Sequence, residues 1–350
     1  MKIRHGVLGA ALLLAVLPAV AAGTCDDAPE EVGIEAYCGI AAPEDIVRVG
    51  DSLIISSMAE TWNLYRFALP GGPLEVLDAG LELPSPDDRW GDPACELPEA
   101  LITHGIDIAR RVNGQWQLLA VNHAGRESIE YFAVDDSGPA PVLDWRGCVM
   151  AAENTQFNDV AALPDGGFLA TDPITASWQL AHMLGGALGM ETGQVYRWRP
   201  DQGYEVVPHT RGAYPNGILL SADGERFYLN RYLDGLVQEH DLETGEVLRS
   251  VAVARPDNSS LAADGALLVA SHDASVFTLL NAVFADAQER NEIPYRIVRI
   301  DPDSFTASVR FASDGKAMGG GTVAQEVGDE LYIGAFRGDR ILRVRVPAAP

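Results

Sequence analysis

The chain has 350 residues, 47% of them hydrophobic, and a formal net charge of −25 from 25 basic and 50 acidic side chains. That acidity repels phosphate backbones and excludes nucleic acid as a partner. It also draws cations to any cleft lined by carboxylates, and the apolar content is ample for one large core.

The chain begins Met1-Lys2-Ile3-Arg4-His5, followed by an uncharged run over residues 6–22 with small residues at Ala19-Val20-Ala21. A charged start, a short apolar run and a small-residue end read as a signal peptide over 1–22, cleaved near Ala21 or Ala22. The run is short for a retained anchor, and Thr24 before Cys25 does not fit a lipoprotein signal. No other stretch is long and apolar enough to span a bilayer. The expectation is a secreted or periplasmic protein with no stable membrane insertion, its residues 23–350 forming one domain.

Four cysteines remain: Cys25, Cys38, Cys95 and Cys148. In an exported chain an even count suggests disulfides. Three pairings are possible and sequence does not choose among them; Cys25–Cys38 with Cys95–Cys148 is the expected one.

Residues 23–42 read as a polar lead-in that contributes a strand. Then a hairpin phrase recurs six times, with turns at Gly50-Asp51, Asn113-Gly114, Asp165-Gly166, Asp223-Gly224, Asp264-Gly265 and Gly328-Asp329. The clearest copy is Tyr214–Arg231, where Asp223-Gly224 separates two strand-like runs. The turns fall 41 to 64 residues apart. Six hairpins at that spacing predict an all-β fold, a six-bladed β-propeller of about four strands per blade. The first blade is expected over about Glu44–Leu77, and a Pro- and Asp-rich loop over 79–100. The second blade is expected from His104 to near Val142. Two inserts, after Asp172 and from Ser275, have helical apolar spacing and predict two short helices, the first of them a cap over the channel mouth or an insertion packed on a blade.

The register of the phrase points to a site. Asn158, Asn216 and Asp257 lie seven residues before their turns, Glu44 six and His104 nine. Each begins an inner strand, so these side chains converge on the propeller axis. Glu44, Asn158, Asn216, Asp257 and Asn258 offer hard oxygen ligands and a formal charge of −2, which suits one Ca²⁺. Asp45 and Asp159 lie one residue deeper and could hold a second ion. Zinc would want histidine or thiolate. Taken singly, Asn216-Gly217 is a turn signal and Glu44-Asp45 a solvated pair. Turn chemistry does not require the register they share.

His104 begins an inner strand and His123 ends the strand beside it, so the two face each other. Such a pair can act as a base and its orienting partner. His272 ends the matching strand of the fifth blade, and Asp172 that of the third. No Gly-x-Ser-x-Gly nucleophile turn and no phosphate-cradling loop occurs.

With these residues the chain resembles the paraoxonase/arylesterase family, within the SMP-30/gluconolactonase-like group of calcium-dependent six-bladed lactonases. The likeness spans about Gly33–Val346. It rests on Pro43-Glu44-Asp45, His104-Gly105-Ile106, Val121-Asn122-His123, Phe157-Asn158-Asp159, Asn216-Gly217-Ile218, Asp257-Asn258 and Gly321-Thr322-Val323-Ala324. The resemblance implies a catalytic Ca²⁺ on Glu44, Asn158, Asn216, Asp257 and Asn258. It implies a structural Ca²⁺ on Asp45, Asp159 and the carbonyl of Ile106, and a catalytic dyad of His104 and His123. The family's disulfide between chain ends has no counterpart, since no cysteine follows Cys148, so the ring must close by strand pairing. The implied activity is hydrolysis of small carboxylic esters, most plausibly lactones. Asp257 as a nucleophile, an organophosphate substrate, and a non-catalytic binding propeller with structural calcium are the alternatives.

Overall fold

All six turn signals form hairpin turns, and each joins the innermost strand of a blade to the next strand out. Their glycines, Gly50, Gly114, Gly166, Gly224, Gly265 and Gly328, all have φ between +54° and +92°. L-residues rarely adopt that backbone, so its use selects glycine here; a Cβ would meet open space at every one of these turns except Gly166, where Arg111 stands close.

The computed structural model of the protein describes residues 32–59, 64–174, 184–275 and 289–347, together with 25, 27, 278, 281 and 286. Its strands form six four-stranded antiparallel sheets, the blades of a six-bladed propeller. Strand β1 (Ile34–Cys38) precedes the first blade, which is β2 to β5 (Ile46–Val49, Ser52–Ser56, Leu64–Ala68, Leu74–Leu77). The second is β6 to β9 (Thr103–Arg110, Trp116–Asn122, Ser128–Asp135, Val142–Met150). The third is β10 to β13 (Val160–Ala162, Phe168–Asp172, Gln194–Arg199, Gly203–Val206) and the fourth β14 to β17 (Pro215–Leu220, Arg226–Arg231, Leu236–Asp241, Val247–Ala252). The fifth is β18 to β21 (Pro256–Leu261, Leu267–His272, Tyr295–Ile300, Ala307–Ser313). The last is β22 to β24 (Gly321–Val327, Glu330–Ala335, Arg340–Arg345), completed on its outer edge by β1. The second blade therefore ends at Met150 and not near Val142: the polar-apolar mix of Val142–Met150 hides a full outer strand.

Closure is by strand pairing, as the lead-in residues predict: Ile34 lies opposite Val344 and Cys38 opposite Arg340. The disulfides are Cys25–Cys38, which ties the chain start to the closing strand, and Cys95–Cys148, which ties the long loop before the second blade to β9.

The core lies between blades rather than in one central mass. Val47 and Ile54 of blade 1 meet Leu118 and Phe132 of blade 2. Leu119 and Tyr131 meet Val160 and Phe168 of blade 3, and Leu268 and Ile297 of blade 5 meet Leu331 and Ile333 of blade 6. Every middle strand is thus covered on both faces, which is why Ser52–Ser56, Phe168–Asp172 and Leu267–His272 are buried throughout.

A 3₁₀ turn (Pro86–Asp88) is the one helix with defined ends among the described residues. The two helix-prone inserts fall in large part outside those residues; 184–187 are helical. Residues 1–22 also lie outside them. No helix among the described residues is long and apolar enough to cross a membrane.

Candidate metal centre and active site

The inner strands deliver their polar residues through β-bulges. Pairing shifts register between Thr103 and Ile106, between Pro215 and Ile218, and between Pro256 and Ser259. His104, Asn216, Asp257 and Asn258 sit inside these shifts, where a bulge re-aims side chains off the sheet face. Asn158 and Asp159 immediately precede β10, and Glu44 and Asp45 precede β2. Two glycines let adjacent blades approach here. A Cβ on Gly105 would stand 2.6 Å from Asp159 Cα, and one on Gly217 would stand 2.8 Å from Asn258 Cα.

All five residues expected around the first ion are buried. Asn258 Nδ2 donates to Glu44 Oε1 (2.7 Å), Asn216 donates to Asp257, and Asn158 Nδ2 lies 3.4 Å from His104 Nε2. These amides spend their N–H groups on neighbours. Glu44 Oε2, Asn158 Oδ1, Asn216 Oδ1 and Asn258 Oδ1 are left buried with no hydrogen-bond partner. Orphaned buried oxygens are costly, about 1–3 kcal/mol each, and rare unless something else satisfies them. Four from one set of residues fit a hard cation.

The electrostatics agree. Burial first, then the charges of Asp45, Asp257 and Asp159, push Glu44 well above the carboxylate range. Burial pushes Asp257 up to about 8. Like charges crowd one another here, and a divalent cation relieves that.

The deeper layer is built differently. Asp45 accepts from Ile46 N and Ile106 N, both at 2.8 Å; Asp159 accepts from Val160 N (2.8 Å) and Ile218 N (2.7 Å). Each oxygen holds one backbone N–H and keeps a second lone pair. Ile106 joins Asp45 and Asp159 in lining a cavity of about 200 Å³ along the axis. Donor chemistry suits a second ion, but no orphaned atom marks its place. Among the described residues, no three of the axial carboxylates and histidines bring ligand atoms within 4.8 Å of one another, so amide and carbonyl oxygens must complete any centre.

Sequence reasoning missed Asp107. It lines the same cavity, accepts from Ile108 N (2.8 Å) and Ala162 N (2.7 Å), and is pushed up to about 7 by burial. An acid inside a strand, one residue after His-Gly-Ile, was the available signal.

The histidines meet as expected. Thr103 lies opposite Asn122, so His104 and His123 follow on facing chain segments. Asn122 Oδ1 accepts from Ile102 N and Ala124 N and holds the segment in place. His104 Nδ1 is 2.9 Å from His123 Nε2, and His104 Nε2 is 3.7 Å from Glu44 Oε1. Burial, and then His123, holds His104 well below its ordinary pKa, so it is neutral, with the long Asn158 Nδ2 contact at Nε2. His123 Nδ1 is 2.7 Å from Glu127 Oε2, a partner that sequence reasoning did not single out.

His272 reaches the same centre, with Nε2 3.5 Å from Asp257 Oδ2 and Nδ1 2.8 Å from Tyr232 OH. Tyr214 and Phe336 pack on this pair. Asp172 instead borders a polar cavity with Glu153, Glu191 and Arg211, and burial pushes it up to about 7.

A family model described as the SMP-30/gluconolactonase/LRE-like region matches residues 115–304, more than half of the chain. The chain belongs to that family. A gluconolactonase from Xanthomonas campestris is similar in fold, with TM-score 0.50, 17% identity, and coverage of 95% of this chain and 99% of that one. A luciferin-regenerating enzyme gives TM-score 0.53 and 16% identity over 89% of this chain and 94% of that chain. The calcium-binding protein regucalcin from Agrobacterium tumefaciens gives 0.50 and 14% over 88% and 91%. No curated protein matches the chain in sequence. In this member of the SMP-30/gluconolactonase/LRE-like family, the matched region holds His123, Asn158, Asp159, Asn216, Asp257 and Asn258; Glu44, Asp45 and His104 lie before it.

Proposed function

We propose that the protein is a calcium-dependent hydrolase of carboxylic esters, with lactones the expected substrates. One observation carries the reading: four unpartnered buried oxygens, on Glu44, Asn158, Asn216 and Asn258, lie in a cluster whose edge is the imidazole of His104. With Asp257 they would hold one Ca²⁺, and Asp45, Asp159 and the Ile106 carbonyl a second, structural ion. Bound there, Ca²⁺ supplies a Lewis acid for an ester carbonyl and balances developing oxyanion charge.

The protein's own groups do the rest. His104 is neutral, so Nε2 can take a proton from water, while His123 holds the opposite ring nitrogen and orients the imidazole. Tyr232, His272 and Phe336 give the centre a largely aromatic border suited to a small uncharged substrate. Within its family the chain reads closest to the paraoxonase/arylesterase pattern, through His104-Gly105-Ile106 and Asn158-Asp159. The gluconolactonase and calcium-binding descriptions of proteins similar in fold are compatible with this. Two disulfides suit the oxidising setting of a secreted or periplasmic protein.

The test is hydrolysis of a panel of lactones and phenyl acetate by the purified mature protein, with calcium and after chelation. Turnover is expected to vanish on chelation and return with calcium. His104→Gln should bind calcium normally and lose about 10²–10⁴-fold in turnover. Unchanged turnover in that variant would remove His104 as the base and favour Asp257 as a nucleophile. No turnover in folded, calcium-loaded protein would favour a ligand-binding propeller.

A further inference from the structure

The two histidines do not end the hydrogen-bonded chain at the active site; a carboxylate does. Glu127 Oε2 lies 2.7 Å from His123 Nδ1, and His123 Nε2 lies 2.9 Å from His104 Nδ1. A carboxylate can only accept, so its end of the chain sets every proton in it. His123 must carry its hydrogen on Nδ1 and present Nε2 as a lone pair. His104 must then carry its hydrogen on Nδ1, donate it to that lone pair, and leave Nε2 bare toward Glu44 and Asn158. Without the carboxylate, His123 could carry its hydrogen on Nε2. His104 Nδ1 would then have to accept, and the hydrogen would move to Nε2, on the very nitrogen that must receive a proton.

Neighbouring charges leave Glu127 to this role. Arg126, next in the chain, is held by Glu130 at 2.8 and 3.1 Å and by the carbonyl of Glu96. Glu127 is about one-third exposed and His123 less so, which places the carboxylate at the rim and the bare nitrogen inside.

We propose that Glu127 is a positioning residue that fixes the tautomers of His123 and His104 and so makes His104 Nε2 the base. This rests on the hydrolase reading for its purpose, but not for its test. The experiment is ¹⁵N NMR of the histidine rings in calcium-loaded protein without substrate, paired with lactone kinetics. Both rings should be Nδ1–H tautomers, with a downfield Nδ1 proton on His123. Glu127→Ala should lose that proton signal, mix the tautomers and lower kcat about tenfold or more with KM and calcium affinity unchanged. Glu127→Gln, whose amide oxygen can still accept, should restore the tautomers and part of kcat. An Nε2–H tautomer on His123 in the unaltered protein would overturn the proposal even if every variant failed to fold. So would a Glu127→Ala protein with unchanged ring signals and unchanged kcat. Absence of lactone turnover with the expected tautomers in place would remove the hydrolase reading and leave the relay standing.

Discussion

The six junctions between neighbouring blades are closed near their inner strands in two chemically opposite ways. From blade 1 to blade 4 the bridging groups are acids. Asp45 accepts from Ile106 N, Asp107 from Ala162 N and Asp159 from Ile218 N. From blade 4 back to blade 1 they are neutral donors. Asn230 Nδ2 donates to the Asp257 carbonyl, Ser260 Oγ to Ala324 O (2.5 Å) and Thr322 Oγ1 to Glu44 O (2.6 Å). The geometric task is the same, but one half loads negative charge on the axis and the other does not. In the neutral half, two bonds go to the main chains of Glu44 and Asp257. Their backbones are pinned while their carboxylates turn to the centre, where Asn258 and Asn216 donate to them. Asp107 only clamps blades, Glu44 and Asp257 turn their carboxylates to the centre, and Asp45 and Asp159 clamp blades while keeping a second lone pair on each oxygen.

This contrast can be broken experimentally. The largest effect should come from chelation, because burial and then the neighbouring acids push Glu44 and Asp159 well above the carboxylate range, and a bound cation offsets both. Unfolding free energies with and without chelator should differ by about 4 kcal/mol when free calcium is a thousandfold above its Kd. Equal free energies would mean the acids are balanced without a metal. Next, Asp159→Ala in calcium should cost about 3 kcal/mol, since two charge-assisted bonds vanish. Asp107→Ala should cost a similar amount yet keep its response to chelation, because Asp107 lies outside the expected ligand set; chemical denaturation in both conditions separates the two. Smallest is Thr322→Val in the neutral half, about 1 kcal/mol by the same measurement. A loss there as large as for Asp159 would erase the distinction between halves.

Much of the fold was legible because hairpin turns and strand alternation are local. Asp223-Gly224 announces its turn without any tertiary context. The shared offset of Asn158, Asn216 and Asp257 from their turns carried the site, since a repeated blade converts sequence register into position around an axis. Other features were not local. Asp107 reads as an ordinary polar residue until blade 3 brings Ala162 N to it. Glu127 lies in a loop whose course depends on Asn122 capping Ile102 N and Ala124 N. The outer strand Val142–Met150 alternates poorly because its pairing with β8 shifts register at Tyr131–Phe132. Which cysteines pair is likewise a matter of distance and not of count.

Ring closure has a temporal side. The first strand, Ile34–Cys38, finds its partner only in Arg340–Arg345, about 300 residues later. At synthesis rates of ~5–20 residues per second, that partner arrives on the order of tens of seconds after the strand itself. Blades 1 to 5 can form in sequence as they emerge, but the two edges of the open ring stay unpaired until the end. For that interval the chain is an arc with two sticky ends, and anything that keeps those ends from meeting other chains guards its yield.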